Sequence, residues 1–291
     1  MRKKRKENIT FWLFLAPVLV TFIFTVVIPF FMGLFYTFTD WNGVSNQIRF
    51  MGLSNYSKIF TDKEFLSSFN ITVIYTVINI ISMNIIGFLL ALLVTRNRKV
   101  SNLLRAGFFL PNVIGGLVLG FIWQFIFNEV VVSIGEKLDF SFLQTSLLGE
   151  TNTAILSMII VANWQYAGYV MVIYVAALQN VPEELLEAAK IDGANTLQRL
   201  RHIVFPMVAP AFTVSLFLTL SNSFKVYDLN LALTNGGPGN TTELLSMHIY
   251  KEAFVLNNLG IGQAKAIVFF AFVALVSVVQ VYFTKKREVE L

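Results

Sequence analysis

No cysteine occurs in the 291 residues, histidine occurs only twice, and charged side chains make up 13% of the chain. Each shortage excludes a kind of chemistry. Without thiols there is no disulfide, thiolate metal centre or cysteine nucleophile. His202 and His248 stand about 46 residues apart, and no cluster of His, Asp and Glu has ligand spacing, so no metal site is expected. No nucleophile–base pair can be named, so no catalytic residue is expected either. The glycine-rich stretch Thr234-Asn235-Gly236-Gly237-Pro238-Gly239 lacks the Gly-Lys-Ser/Thr ending of a phosphate loop. Its proline marks a turn, read as an outer loop. Charge at about half the roughly 25% of a soluble domain leaves too few polar side chains to cover a globular surface. A cytosolic enzyme is therefore ruled out.

What is present is apolar surface: 56% hydrophobic residues, 29 of them Phe, with a mean hydropathy of +0.67. Lipid accepts Phe on every side of a helix, whereas a soluble interior does not need so many. Six runs lack any Asp, Glu, Lys, Arg or His: Phe11 to Thr39, Phe65 to Thr95, Ala106 to Asn128, Thr151 to Val181, Ile203 to Phe224 and Ala266 to Thr284. The shortest covers roughly 28 Å as a helix, close to the hydrocarbon thickness. Membrane spans are expected at about 11–39, 69–95, 105–128, 152–179, 204–230 and 262–284 of a single domain, 1–291. The basic leader Arg2-Lys3-Lys4-Arg5-Lys6 resembles a signal-peptide start, but the uncharged run after it is about twice a signal core. A retained helix, kinked near Pro17 and Pro29, is expected.

Counting Lys and Arg on alternate connections sets the orientation. With the N-terminus inside, the inner set holds fifteen of the 22 basic residues: the leader; Arg96, Arg98, Lys99 and Arg105; Lys190, Arg199 and Arg201; Lys285, Lys286 and Arg287. Arg49, Lys58, Lys63, Lys137, Lys225, Lys251 and Lys265 fall in the longer outer loops. The positive-inside rule puts both termini in the cytoplasm. Basic clusters beside apolar runs read as topology, not as a nucleic-acid surface. The fold expected is all-α, integral to the cell membrane and multi-pass.

None of the runs carries an ionisable residue at its centre, which weakens an ion-coupled carrier. Neutral polar and aromatic groups do occur within them: Asn79, Asn84, Asn112, Gln124, Asn163, Trp164, Gln165, Tyr166 and Tyr169. Amides and ring faces suit a polyhydroxylated solute; helix–helix glue is the alternative. At the outer end of the fifth run, Asn222, Ser223, Lys225, Tyr227 and Asp228 are candidate path residues. If the helix continues past Phe224, Lys225 and Asp228 are i and i+3 and close enough to pair. A snorkelling lysine beside a solvated Asp is the alternative.

The segment 180–206 is built like two short inner helices. Pro182 suits a first helical position, Glu183 and Glu184 favour the dipole's positive end, and Gly193 supplies a reversal before a second helix from Thr196 to His202. Leu185, Leu186, Ala189 and Ile191 make a compact apolar knob between charges. It is read as a docking element for a protein partner, or as an amphipathic helix on the leaflet.

Glu187-Ala188-Ala189, Gly193 and the ending Ile203-Val204-Phe205-Pro206 resemble the EAA loop of importer permeases in the ATP-binding-cassette superfamily, with Phe205 in place of the usual Leu. Leu15-Ala16-Pro17, Phe109-Leu110-Pro111 and the stretch from Phe224 through Leu233-Thr-Asn-Gly-Gly-Pro238 resemble the maltose-type carbohydrate permeases. The resemblance implies an ABC type I importer permease fold and a path shared with a second homologous permease. It also implies an extracytoplasmic solute-binding protein delivering a carbohydrate, and two cytosolic ABC ATPase subunits that hold ATP-Mg. No cofactor is expected in this chain itself. It further implies that Glu184, Glu187, Ala188, Ala189, Asp192, Gly193 and Pro206 meet the ATPase, and that Gln165, Tyr166 and Tyr169, with Asn163 and Trp164 beside them, line the path. The two extra N-terminal spans and outer domain of the larger maltose type are not found, so the chain reads as the shorter six-helix version. The expected function is oligosaccharide import. Glycerol 3-phosphate or a diester as solute, a secondary carrier or channel, and a membrane-bound enzyme are the alternatives.

Overall fold

The structure is a computed structural model that describes residues 2–45, 47–96 and 101–286. Arg98, Lys99 and Arg287, counted above for orientation, lie outside the described residues. Among the described residues the regular structure is helical, with one isolated antiparallel bridge between Thr39 and Phe50. Six helices are long and apolar enough to cross a membrane: Phe11–Tyr36, Lys63–Thr95, Gly116–Lys137, Thr151–Gln179, Thr196–Phe224 and Leu259–Lys285, named spans one to six below. The chain forms two compact units, Met1–Asp62 with Ile249–Phe270 and Lys63–His248 with Ala271–Leu291.

In the first unit, span one is interrupted by a π-turn at Ile23–Val27, immediately before the second of its two prolines, Pro29. Proline has no N–H to give the preceding turn, and the wider π register absorbs the loss. Pro17 sits inside the Arg2–Phe22 helix. A loop after the span is held by Asn55, whose buried amide donates to the carbonyls of Thr37 (2.9 Å) and Thr39 (2.8 Å).

The first turns of span six lie in the same unit and carry a residue that the count of basic residues placed outside the span, although it falls within the expected 262–284. Lys265, assigned above to an outer loop, is inside the helix and fully buried. Its Nζ lies 2.7 Å from both Asp62 Oδ2 and Glu252 Oε2. Two carboxylates supply what an apolar run cannot, so a lysine tolerates a place in the helix.

The second unit is organised around span four, which buries most of its surface, from Ala154 and Met158 to Tyr174 and Val175, and leaves Leu156, Ile160 and Trp164 exposed along one stripe. Most of what it buries is apolar, as a helix inside a bundle requires, with Ser157, Asn163 and Gln165 as buried polar residues among them. Gly168 admits the backbone of the Ser101–Phe109 helix, because a Cβ there would overlap the Phe108 carbonyl. That approach corrects the expected third span. The 105–128 segment is not one helix: Ser101–Phe109 passes through a 3₁₀ turn at Leu110–Val113, the chain is extended at Ile114 and Gly115, and a new helix begins at Gly116. Pro111 in the sequence is the cause of the break.

Span five also differs. The second inner helix is not separate from it: Thr196–Arg199, a π-turn at Leu200–Val204 before Pro206, and Phe205–Phe224 run as one helix. It stops at Phe224 instead of continuing to about 230, and a new short helix starts at Asp228. The stretch after it is ordered by Asn230, which is fully buried. Its Nδ2 donates to Thr234 Oγ1 and to the Thr242 carbonyl, each 2.9 Å away, while Oδ1 accepts from the Leu244 N–H at 2.9 Å.

Candidate functional site

Within the second unit a cavity of about 240 Å³ opens between five elements. Span two contributes Asn79 and Met83, span four Ala162, Gln165 and Tyr166, span five Asn222 and Ser223, and the linker beyond it Lys225 to Leu229. Gly116, at the start of span three, closes one wall against Asp228. The break in span three has a direct use here: it frees the Ile114 carbonyl, which accepts from Gln165 Nε2 at 2.8 Å. Gln165 is buried, so its amide plane is fixed and its remaining polar valence is aimed by the fold.

The wall behind the cavity is a polar seam between spans two, four and five. Asn79 Nδ2 donates to Ser223 Oγ at 2.9 Å, and Asn163 Nδ2 points at Asn79 Oδ1 (3.2 Å), Ser82 Oγ (2.9 Å) and the Ile159 carbonyl (2.8 Å). Further along, Asn84 joins all three helices. Its Oδ1 accepts from Tyr174 Oη and Ser215 Oγ, both 2.6 Å away, and its Nδ2 donates to Thr219 Oγ1 at 3.0 Å. Buried amides in a bundle have to be paired in this way, because nothing else there can accept or donate.

Of the residues singled out in the sequence, the structure brings Gln165, Tyr166, Asn222, Ser223, Lys225, Tyr227 and Asp228 to one cavity. Three others are elsewhere. Asn163 is buried in the seam, Trp164 is 45% exposed with its ring against Trp123, and Tyr169 packs on the apolar core. The helical argument for a Lys225–Asp228 pair fails because the helix ends between them. Lys225 is its C-cap, Tyr227 has φ −129° and ψ −57°, and no ion pair joins the two among the described residues. Asn79 and Asn84 were visible as polar residues in an apolar run; their partners on distant helices were not.

The 180–206 segment forms a Glu183–Ile191 helix with Glu183 and Glu184 in its first turn and Lys190 in its last. The chain then reverses at Gly193, φ +83°, where the Ala194 N–H returns to the Ala189 carbonyl at 2.9 Å. Asn195 and Gln198 make a capping box, with bonds of 2.9 and 2.8 Å, that starts the next helix. Leu185, Ile191 and Leu197 are exposed, and Glu184, Glu187, Ala188 and Asp192 line the same surface stretch. Pro206 follows the π-turn at the base of span five.

An all-helical, six-span chain with a polar cavity and an exposed helix-turn-helix is a membrane permease in form. Its fold is that of an ABC importer permease: a chain of a bacterial ABC transporter involved in the import of the acidic polysaccharide alginate matches with a TM-score of 0.85 at 18% identity, over 98% of both chains. Residues 83–289 match the family described as binding-protein-dependent transport system inner membrane component. The chain belongs to that family and is a multi-pass inner-membrane protein. It is similar to the probable starch degradation products transport system permease protein AmyD of Thermoanaerobacterium thermosulfurigenes, 50% identical over 98% of this chain and 97% of that one. It is also similar to the multiple sugar-binding transport system permease protein MsmF of Streptococcus mutans, 33% identical over 96% of each.

Proposed function

We propose that this chain is a permease subunit of an ATP-driven importer that passes an oligosaccharide, handed over by an extracytoplasmic solute-binding protein, across the membrane. In this reading it shares the path with a second homologous permease, keeps both termini in the cytoplasm, and takes its drive from two ATPase subunits, which hold ATP-Mg, through the 180–206 loop. The observation that carries the solute class is the cavity lining. Asn79, Gln165 and Asn222 offer amides, Ser223 a hydroxyl, and Tyr166 and Tyr227 ring faces with hydroxyl tips. Amides exchange hydrogen bonds with sugar hydroxyls, and ring faces cover the apolar side of a pyranose. Relatives named for starch degradation products and multiple sugars support the same class.

Coupling rests on the exposed helix of the 180–206 segment. Leu185 and Ile191 leave apolar surface in water at 47% and 86% exposure, a state that a partner groove would relieve. The acidic first turn and the single Lys190 give the knob a polar rim that fixes its register in such a groove.

Lys225 favours a second reading, a phosphorylated solute such as glycerol 3-phosphate, but Asp228 lines the same cavity and would repel a dianion. The test is uptake by the reconstituted importer, with its ATPase and binding protein, of labelled maltotriose against labelled glycerol 3-phosphate. Maltotriose accumulation that requires ATP is expected, with Tyr166→Ala raising the half-saturating concentration about tenfold. Accumulation of glycerol 3-phosphate alone would overturn the sugar, and accumulation without ATPase subunits would overturn the importer.

A further inference from the structure

We propose that a groove on the second unit, between span five and the last turns of span six, is a binding site for one phospholipid with an anionic headgroup. The groove has a volume of about 560 Å³ and runs from Phe217 and Val278 past Val281 and Tyr282 to Lys285 and Lys286. Its walls are apolar over most of their length, and both cations stand at one end.

The geometry on span six sets this arrangement. Val278, Val281, Tyr282, Lys285 and Lys286 fall on one stripe of the helix at spacings of three, four and one. From Val278 to Lys286 the stripe rises roughly 12 Å, a little less than the ~15 Å hydrocarbon depth of a single leaflet. Gln280, on the adjoining face, donates to the Thr213 carbonyl of span five at 3.4 Å and holds the two helices together beside the groove. Lys286 Nζ lies 4.3 Å from the centroid of the Tyr282 ring, so the ring directs one ammonium over the groove's end.

Charge distribution decides the occupant. A helix from a partner protein would fill the apolar length but has no need of two cations at one end. A phospholipid carries an anionic phosphate at one end of two acyl chains, and lysines at a helix end sit at headgroup depth. Phosphatidylglycerol, with a net negative headgroup, fits this pattern; phosphatidylcholine, whose choline cancels the phosphate, does not.

Native mass spectrometry of the full chain with its copurifying subunits, titrated with phosphatidylglycerol or with phosphatidylcholine of the same acyl chains, tests the site. The first phosphatidylglycerol is expected to be retained at about tenfold lower concentration than phosphatidylcholine. Lys285→Gln with Lys286→Gln should bring that ratio within twofold. Val278→Trp, which fills the groove and keeps both cations, should reduce retention of both lipids and provides a second arm should the lysine variant insert poorly. Inorganic phosphate at the same concentrations should not displace the lipid. Equal retention of the two lipids by the unmodified protein, an unchanged preference in both variants, or displacement by phosphate would overturn the proposal. So would efficient crosslinking of Val278→Cys to a second polypeptide.

Discussion

Lys265 Nζ and Glu252 Oε2 lie 2.7 Å apart, with the lysine fully buried and the glutamate side chain 13% exposed. Asp62 completes the cluster at 2.7 Å, and Glu252 Oε1 accepts from Asn258 Nδ2 at 2.8 Å. One ammonium therefore bridges two carboxylates in the first unit. Lys265→Met would take this ammonium away from both carboxylates, and breaking a buried pair in this way costs about 3–5 kcal/mol. The triple change Lys265→Met, Asp62→Asn and Glu252→Gln removes the charges together and is expected to be clearly milder. Thermal unfolding in detergent checks the order, and a triple variant as unstable as the single one would remove charge from the explanation.

Asn84 is the next test. Asn84→Ala takes the shared acceptor from Tyr174 Oη and Ser215 Oγ and removes the donor to Thr219 Oγ1. Leaving a buried donor unpaired costs about 1–3 kcal/mol. Ser215→Ala takes away only one donor to an amide that keeps its other bonds, and should cost less than half as much. Melting temperatures of the two variants would decide, with equal losses counting against the hub.

Gly193 combines a positive φ of +83° with open space where a Cβ would go. Substitution there is a matter of backbone strain and not of crowding. Asn enters this conformation more readily than other residues, while a β-branched residue strains by about 1–2 kcal/mol or more. Gly193→Asn should retain most solute-stimulated ATPase activity in the complete importer and Gly193→Val should lose most of it, with insertion into the membrane unchanged. Equal stimulation in both would argue against a role for the reversal.

Lys225 and Asp228 are expected to act separately. Because the helix ends between them and no ion pair joins them, the losses from Lys225→Ala and Asp228→Ala should add to within about 0.5 kcal/mol. An i, i+3 pair on a continuous helix would instead make the double variant better than the lysine variant alone. Uptake rates for the two single variants and the double variant separate these cases.

The difference between these two expectations shows where the sequence is informative. Six spans follow from uncharged length, since lipid leaves helices of about 20 residues as the favoured solution. The reversal at Gly193 follows from a glycine between a helix that opens on Pro182, Glu183 and Glu184 and a second helical stretch from Thr196. The end of span five at Phe224 has no such local mark. Phe224, Lys225 and Val226 are ordinary helix residues, and the chain turns there because Asn230 ties the following segment to Thr242 and Leu244. Similarly, Lys265 looked like a loop residue because its two counter-charges are distant in sequence.

Among the candidate site residues the same distinction holds. Gln165 and Tyr169 are i and i+4, on one face of span four, yet only Gln165 reaches the cavity. The four-residue spacing fixes the direction of a side chain but not which neighbour it meets, and here Ile114 captures Gln165 while the core takes Tyr169. Gln165→Ala is therefore expected to change the half-saturating solute concentration, and Tyr169→Ala chiefly the melting temperature. The reverse pattern in uptake and unfolding measurements would place the path on the other side of span four.

The unbroken helix from Thr196 to Phe224 is in effect a connecting rod. Its one end is the reversal at Gly193 and its other end is the rim of the cavity, about 43 Å away at 1.5 Å per residue. A tilt of about 5° around its middle would carry each end through roughly 2 Å in opposite directions. Ser223, seated in that rod and bonded to Asn79, would be drawn past its partner by a distance comparable to a hydrogen bond, so in the proposed importer a push delivered at one end of the rod would be felt as a change of bonding at the other.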